Sequence, residues 1–213
     1  MKTLEKQIAK PTSSKKFANE ILKTIYERRS VRKFKDILPD RSIIEQLIDA
    51  GRMAPSAINK QPWKFYILTN KEDILAFSVE TSKAALKGIM KSGIKGIIKT
   101  GKDLLHFSHG ADFFKTDDPI FHGAPVVIFI TSPKDNEWAT LDIGMCSQNI
   151  MLAASSLGLD SCPVGLGKFV EQTSLYNKLN IPSTEQVDLA IIIGYGDEHP
   201  EVKERIKDNI FFI

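Results

Sequence analysis

Arg28-Arg29-Ser30-Val31-Arg32 sets three guanidiniums and a hydroxyl within five residues. Guanidinium forks match phosphate oxygens. The same run also suits a solvated basic helix end, where the macrodipole favours cations. In Pro55-Ser56-Ala57-Ile58-Asn59-Lys60-Gln61-Pro62-Trp63, two prolines bracket a polar turn and an aromatic opens a strand. In isolation that is a helix-to-strand loop. Ser161-Cys162-Pro163-Val164-Gly165-Leu166-Gly167 is a glycine loop, open to close backbone approach or simply a turn. Lys203 and Arg205 follow Gly194-Tyr195-Gly196 and alternate with Glu201 and Glu204, as an anion-binding pair or an exposed charged tail would.

Other chemistry is poorly supplied. There is no triad, no paired carboxylate motif and no GxGxxG, which disfavours a Rossmann dinucleotide domain. His106 and His109 have HxxH spacing without a nearby third ligand, so they and His122 read as lid or surface histidines, and no metal site is expected. Cys146 and Cys162 form no CxxC; Cys162 reads as small and apolar. Asp117-Asp118 reads as a loop or a helix start. Lys83, Lys87, Lys91, Lys95 and Lys99 recur every four residues, with Lys102 beyond. They read as the solvated face of an amphipathic helix with Leu86, Ile89/Met90, Ile94 and Ile97/Ile98 inside. The sharper reading is an electropositive lid attracting the 2′-phosphate of NADPH.

Elements must position these groups. Residues 1–16 form an arm. Phe17–Arg29 has helical apolar spacing, capped by Ser13 or Ser14. Ser30–Phe34 follows as an extended turn. Ser42 and Glu45 form a capping box for a helix with Ile43, Ile44, Leu47, Ile48 and Met53 on its apolar face; Gly51 and Pro55 mark its end. Trp63–Thr69 is a strand. Residues 72–122 carry Gly88, Gly93, Gly96 and Gly101, each costing about 1 kcal/mol in a helix, so short, mobile helices are expected. Pro125–Thr131 is a strand covered on both faces. A long helix runs from about residue 136 to 157; between Trp138 and Leu159 its only charge is Asp142, so it is buried by the chain or a partner. A short strand at Asp160–Gly165, a helix at about Phe169–Leu179 and a buried strand at Val187–Tyr195 complete the order. The tail IKDNIFFI needs something to pack on. The class is α+β, one mixed sheet with helices packed on it.

The chain has 213 residues, a length between one domain and two. A domain of this size buries roughly 70% of its unfolded surface and needs no disulfide or metal staple. Hydrophobic content of 42% and charged content of 26% exclude a disordered chain, a collagen-like repeat and a disulfide scaffold. The net charge of +3 hides an asymmetry: residues 1–41 carry +7 and residues 42–213 carry −4. A basic segment fits an anionic ligand, nucleic acid or a membrane surface. No reading helix, RNP motif or aromatic-interleaved basic strip accompanies it, so nucleic acid is disfavoured. No signal peptide and no run of 18 apolar residues is present, so no membrane association and a reduced cytoplasmic setting are expected.

Taken in order, RRSVR, PSAINKQPW, GAPVVIFI with LDIGMCSQNIMLAASSLGL, SCPVGLG and GYG resemble the FMN-dependent nitroreductase family over about residues 20–205. The resemblance implies a nitroreductase-like α+β fold in a domain-exchanged homodimer. It implies a single FMN-binding domain over 17–213, a lid at 72–122, and a tail at 206–213 embracing the partner. Arg28 and Ser30 would bind the FMN phosphate with Arg29 beside them, and Arg32 would lie near the N1/C2 edge of the ring, where a cation stabilises the anionic reduced form. Pro55, Ser56, Ala57, Ile58 and Asn59 would come from the other subunit. Ala57 departs from the family's usual second serine, so a hydroxyl contact is missing. Pro163, Val164, Gly165, Leu166 and Gly167 would lie along the isoalloxazine, with the Gly165 N–H facing flavin N5. Lys203 and Arg205 would close on the phosphate.

The implied activity is ping-pong hydride transfer from NADPH or NADH through FMN to a nitroaromatic or quinone, with reactants held about 3–3.5 Å apart. Other members of the resemblance class stay open: dehalogenation, flavin breakdown, enoate reduction, or a flavin-binding protein without turnover.

Overall fold

A computed structural model describes residues 19–91 and 117–213. Its elements run α1 (Glu20–Glu27), α2 (Arg41–Arg52), β1 (Lys64–Leu68), α3 (Lys71–Lys91), β2 (Val126–Pro133), α4 (Ala139–Ser156), β3 (Asp160–Val164) and β4 (Glu185–Gly194). Short 3-10 turns occupy Ala57–Asn59, Gly165–Gln172 and Tyr176–Leu179. The sheet order is β1-β2-β4-β3 and these neighbours pair antiparallel. Among the described residues the parallel contribution is a single bridge, Ser30 to Ser161.

Strand alternation divides the core. Val126, Ile128 and Ile130 point with Ile191 and Ile193 toward α2 and α4, where Ile44, Leu47, Ile48, Ile143, Cys146 and Ile150 meet them. Val127, Phe129 and Ile192 point the other way, against Ile74, Phe77, Phe121 and Val170. The continuous apolar run of β2 is thus covered on both faces, as its sequence requires. Helices α2 and α4 cross closely at Gly51, where a Cβ would stand 2.7 Å from Ile150 Cγ1.

Several local expectations are corrected. Helix α1 is shorter than 17–29, and its cap is Asn19, whose side chain accepts from the Leu22 N–H; Ser13, Ser14 and the arm lie outside the described residues. Helix α2 starts after Asp40, and no capping box forms because Glu45 pairs with Arg41 at 2.8 Å instead. Met53 is 80% exposed rather than on the buried face. Residues 71–91 form one continuous helix, not short pieces. Its Gly88 is a packing device: a Cβ there would stand 2.8 Å from the Phe169 ring. Its base belongs to the core, with Ile74 and Phe77 buried, while Leu86, expected inside, is 39% exposed. Lys83 pairs with Glu80 at 2.9 Å and Lys87 is exposed. Lys95, Lys99, Lys102, Ile94, Ile97, Ile98, His106 and His109 lie outside the described residues, as do the side chains of Ile89, Met90 and Lys91. The helix expected at about Phe169–Leu179 is replaced by the two 3-10 turns, interrupted near Thr173.

Candidate functional site

The arginine segment leaves α1 and is stitched to the sheet by its backbone. The Val31 N–H donates to the Ser161 carbonyl at 3.1 Å, the Lys35 N–H to the Tyr195 carbonyl at 2.8 Å, and the Asp197 N–H to the Lys33 carbonyl at 2.8 Å. The Arg32 N–H donates to Glu198 at 2.5 Å. Ser30 and Phe34 bridge to Ser161 and Gly196. Gly196 has no room for a side chain, because the Asp160 carboxylate occupies that space. The segment is therefore fixed to the sheet without spending the guanidiniums of Arg28 and Arg29.

Those guanidiniums are under-used. Arg29 donates to the Arg28 carbonyl at 2.6 Å. Its Nε and second terminal nitrogen, with one terminal nitrogen of Arg28, are buried without a hydrogen-bond partner; so is the Ser161 hydroxyl. Such orphans are rare and each needs an explanation. Burial lowers Arg29 below the ordinary arginine value, and the Arg205 and Arg28 charges push the same way, against Glu27. Three cations thus act on one half-buried cluster, and an anion with several acceptor oxygens answers both the charge and the orphaned donors. Arg32 reaches the Ser30 carbonyl at 3.5 Å. Arg205 is exposed and donates to the Lys203 carbonyl at 2.8 Å; Lys203 is likewise exposed.

Strand β3 carries the chain from this cluster directly into the glycine loop. Burial pushes the Cys162 thiol up, while the Arg32 charge, a hydrogen bond with Ser30 and the Arg28 charge oppose it. Cys162 is thus next to Ser30. Gly167 is packed against Ala190, whose methyl would collide with a Cβ there. Gly165 is different: a Cβ built on it meets nothing within 4 Å, and its φ is not positive. The chain's own packing does not require glycine at 165, so the open space above it is free for something else. Pro163, Val164 and Leu166 line the same stretch, with Val164 and Leu166 on the α3 side of the sheet.

The turn after Pro55 stands elsewhere, against the start of α4. The Ala57 N–H donates to both oxygens of Asp142, at 3.2 and 3.3 Å. The Gln61 N–H donates to the Ser56 hydroxyl at 2.9 Å, and the Gln61 side chain donates to Asn59 at 3.2 Å. Ile58, Asn59 and Gln61 all have φ between 47° and 56°, a left-handed conformation that is an outlier for a β-branched residue. Ile58 is nonetheless 88% exposed. The structure joins Arg28, Arg29 and Ser30 with β3 and Arg205, but within one chain it keeps the 55–59 turn apart as a separately held, outward-facing feature.

Sequence reasoning missed several residues that hold this arrangement. Glu198 was not singled out, and nothing in the sequence marks its bond to Arg32. Asp142 carried a signal, as the lone charge in an apolar helix. Asp118 is buried; Ser78 donates to it, as do the N–H groups of Phe121 at 2.8 Å and Gly123 at 2.9 Å. It shapes the turn that leads into β2. His122 lies in that turn with φ 56°. Among the described residues no cluster suits a metal ion, and no helix is long and apolar enough to cross a membrane.

Comparison with known proteins gives the family and the fold. The model of the nitroreductase family matches residues 25–195. The chain is 27% identical to a chloronitrobenzene nitroreductase of Comamonas testosteroni, covering 84% of this chain and 88% of that one. It is 28% identical to a 4-nitrobenzoate reductase of Pseudomonas putida, covering 84% and 86%. Its fold is similar to a nitroreductase with bound FMN from Desulfitobacterium hafniense, with a TM-score of 0.74 at 24% identity over 92% of this chain and all of the other. A nitroreductase with bound FMN from Bacteroides fragilis gives 0.69 at 23% identity, covering 92% and 98%.

Proposed function

The chain belongs to the nitroreductase family, and from that premise we propose that it is an FMN-dependent oxidoreductase using NADPH or NADH to reduce nitroaromatics or quinones. The observation that carries this reading is the set of buried, unpartnered guanidinium nitrogens on Arg28 and Arg29. They fit the FMN phosphate, with Ser30, Lys203 and Arg205 completing its cradle and Arg32 set at the edge of the ring. The open space over Gly165 fits the ring itself, held by residues 163–167. When bound, FMN would supply the hydride chemistry between a nicotinamide and an electron-poor substrate. The chain's part is to neutralise the phosphate, offer the Gly165 N–H toward N5, and hold reactants close. It need not supply a nucleophile.

The same reading makes the protein a homodimer with two sites. Pro55, Ser56, Ala57, Ile58 and Asn59 then reach the partner's cofactor, which accounts for their outward placement. Met53, Ile58, Trp138 and Leu141 are exposed apolar residues on the elements that meet at the Ala57–Asp142 contact, and the IFFI tail is exposed as well. A groove of about 480 Å³ lined by Ile48, Arg52, Trp63, Phe65 and Ile67 suits that tail from a second copy. A cytoplasmic setting accords with two free, buried cysteines.

The test is spectroscopic. Purified protein should be yellow, release FMN on denaturation, bleach with NADPH or NADH, and recover its colour with a nitroaromatic. Protein reconstituted with FMN that never bleaches would leave only flavin binding.

A further inference from the structure

We propose that Asp142 is a positioning residue that holds the strained 56–61 turn in place from inside the molecule. This rests on the reading that the turn serves the cofactor site. Asp142 lies in the first turn of α4, where the helix dipole favours an anion, and it is 1% exposed. Burying a carboxylate is costly unless it is well bonded, yet the bonds the structure gives it go to one group, the Ala57 N–H, at 3.2 and 3.3 Å.

The turn explains the expense. Three of its non-glycine residues have left-handed φ, at 47°, 56° and 47°, and Gln61 does so immediately before a proline, which adds its own restriction. The bonds from the Asn59, Lys60 and Gln61 N–H groups run to Ser56 and Ala57. They keep the turn's shape but do not fix where it stands. Among the described residues, the hydrogen bond that leaves the turn for another element is the one to Asp142. A charge-assisted acceptor at the rigid start of a buried helix resists the relaxation that the strain would otherwise drive.

Three variants read this out. Asp142→Leu removes the anchor and also the cost of burying a charge. Asp142→Asn keeps one acceptor oxygen. Gln61→Gly relieves strain at a residue outside the proposed cofactor contacts. We expect Asp142→Leu to melt no lower than wild type while FMN affinity falls about tenfold and KM for the acceptor rises more than kcat falls. Asp142→Asn should stay within about threefold of wild type, and adding Gln61→Gly to Asp142→Leu should recover part of the loss. Wild-type FMN affinity in Asp142→Leu overturns the proposal, as does a loss that merely follows a lower melting temperature with no recovery from Gln61→Gly. Should the wild-type protein bind no FMN, the cofactor reading fails on its own. The anchor is then read in the cofactor-free chain by amide exchange at Ala57 and Gln61: faster exchange in Asp142→Leu supports it and unchanged exchange overturns it.

Discussion

A guanidinium buried beside other cations weakens the chain that carries it until an anion joins it. Arg29 is in that position, with burial and the Arg205 and Arg28 charges all working against its protonated form. Arg29→Gln should therefore act with opposite signs on two measurements. Thermal melts of the cofactor-free protein should rise or stay level, while FMN affinity, read by flavin fluorescence, should fall about 10- to 100-fold, the worth of a charge-assisted hydrogen bond. Gly165 makes the complementary case. Since a Cβ there meets nothing of the chain, Gly165→Val should leave the cofactor-free melt unchanged within about 1 °C. It should abolish the yellow colour of the purified protein. A melt lowered in step with the lost colour would mean that the glycine serves the fold.

At the scale of elements, strands were legible because their apolar runs are short, β-rich and bounded by turn residues; β1, β2, β3 and β4 lie within two or three residues of the expected segments. The arginine cluster was legible because its residue types are adjacent in sequence. What sequence hid are bonds across distance. Glu198 meets Arg32 across 166 positions, and Gly88 serves Phe169, a ring far along the chain; neither leaves a local pattern. The helix expected after the glycine loop failed because Gly165 and Gly167 begin a tighter 3-10 path against β4. Another hidden cluster contributes to the acid stability. Glu185 is buried where β1, β2 and β4 meet, bonded by Lys64, by Thr131 at 2.7 Å and by Tyr66 at 3.3 Å. Burial alone would raise its pKa, but the bonds from Lys64 and Thr131 outweigh it and hold it below the ordinary value. A lowered carboxylate contributes stability that is present above the unfolded value, near pH 4.3, and is lost as pH falls through the folded one. Lys64 is largely exposed and screened, so Thr131 is the partner to remove. Urea unfolding between about pH 3 and 6 should show Thr131→Val less stable than wild type near pH 6 and losing less of its stability on acidification.

For the whole molecule, the decisive feature is how much apolar surface a single chain leaves uncovered. Ile206, Ile210, Phe211, Phe212 and Ile213 are all exposed, and a lone chain gains nothing by ordering them. On the proposed dimer reading, truncation after Asn209 should shift sedimentation from dimer toward monomer at micromolar concentration and weaken FMN retention in parallel. A fully stable truncated dimer would rule out the tail as the embracing element. Of the +7 of the first 41 residues, the proposed phosphate site would employ Arg28, Arg29 and Arg32, and most of the N-terminal lysines have no role assigned. Strand β1 carries a last consequence. It lies at the end of the sheet order and pairs with β2 alone among the described residues, with Lys64 and Ile67 exposed along it. Open backbone of this kind is a template for indiscriminate pairing. A newly synthesised chain in a crowded cell thus carries an aggregation hazard at this edge, where Lys64 is the one charged residue of β1. Slow, cool overexpression should favour recovery from the supernatant, and replacing Lys64 with an apolar residue should send the protein into inclusion bodies.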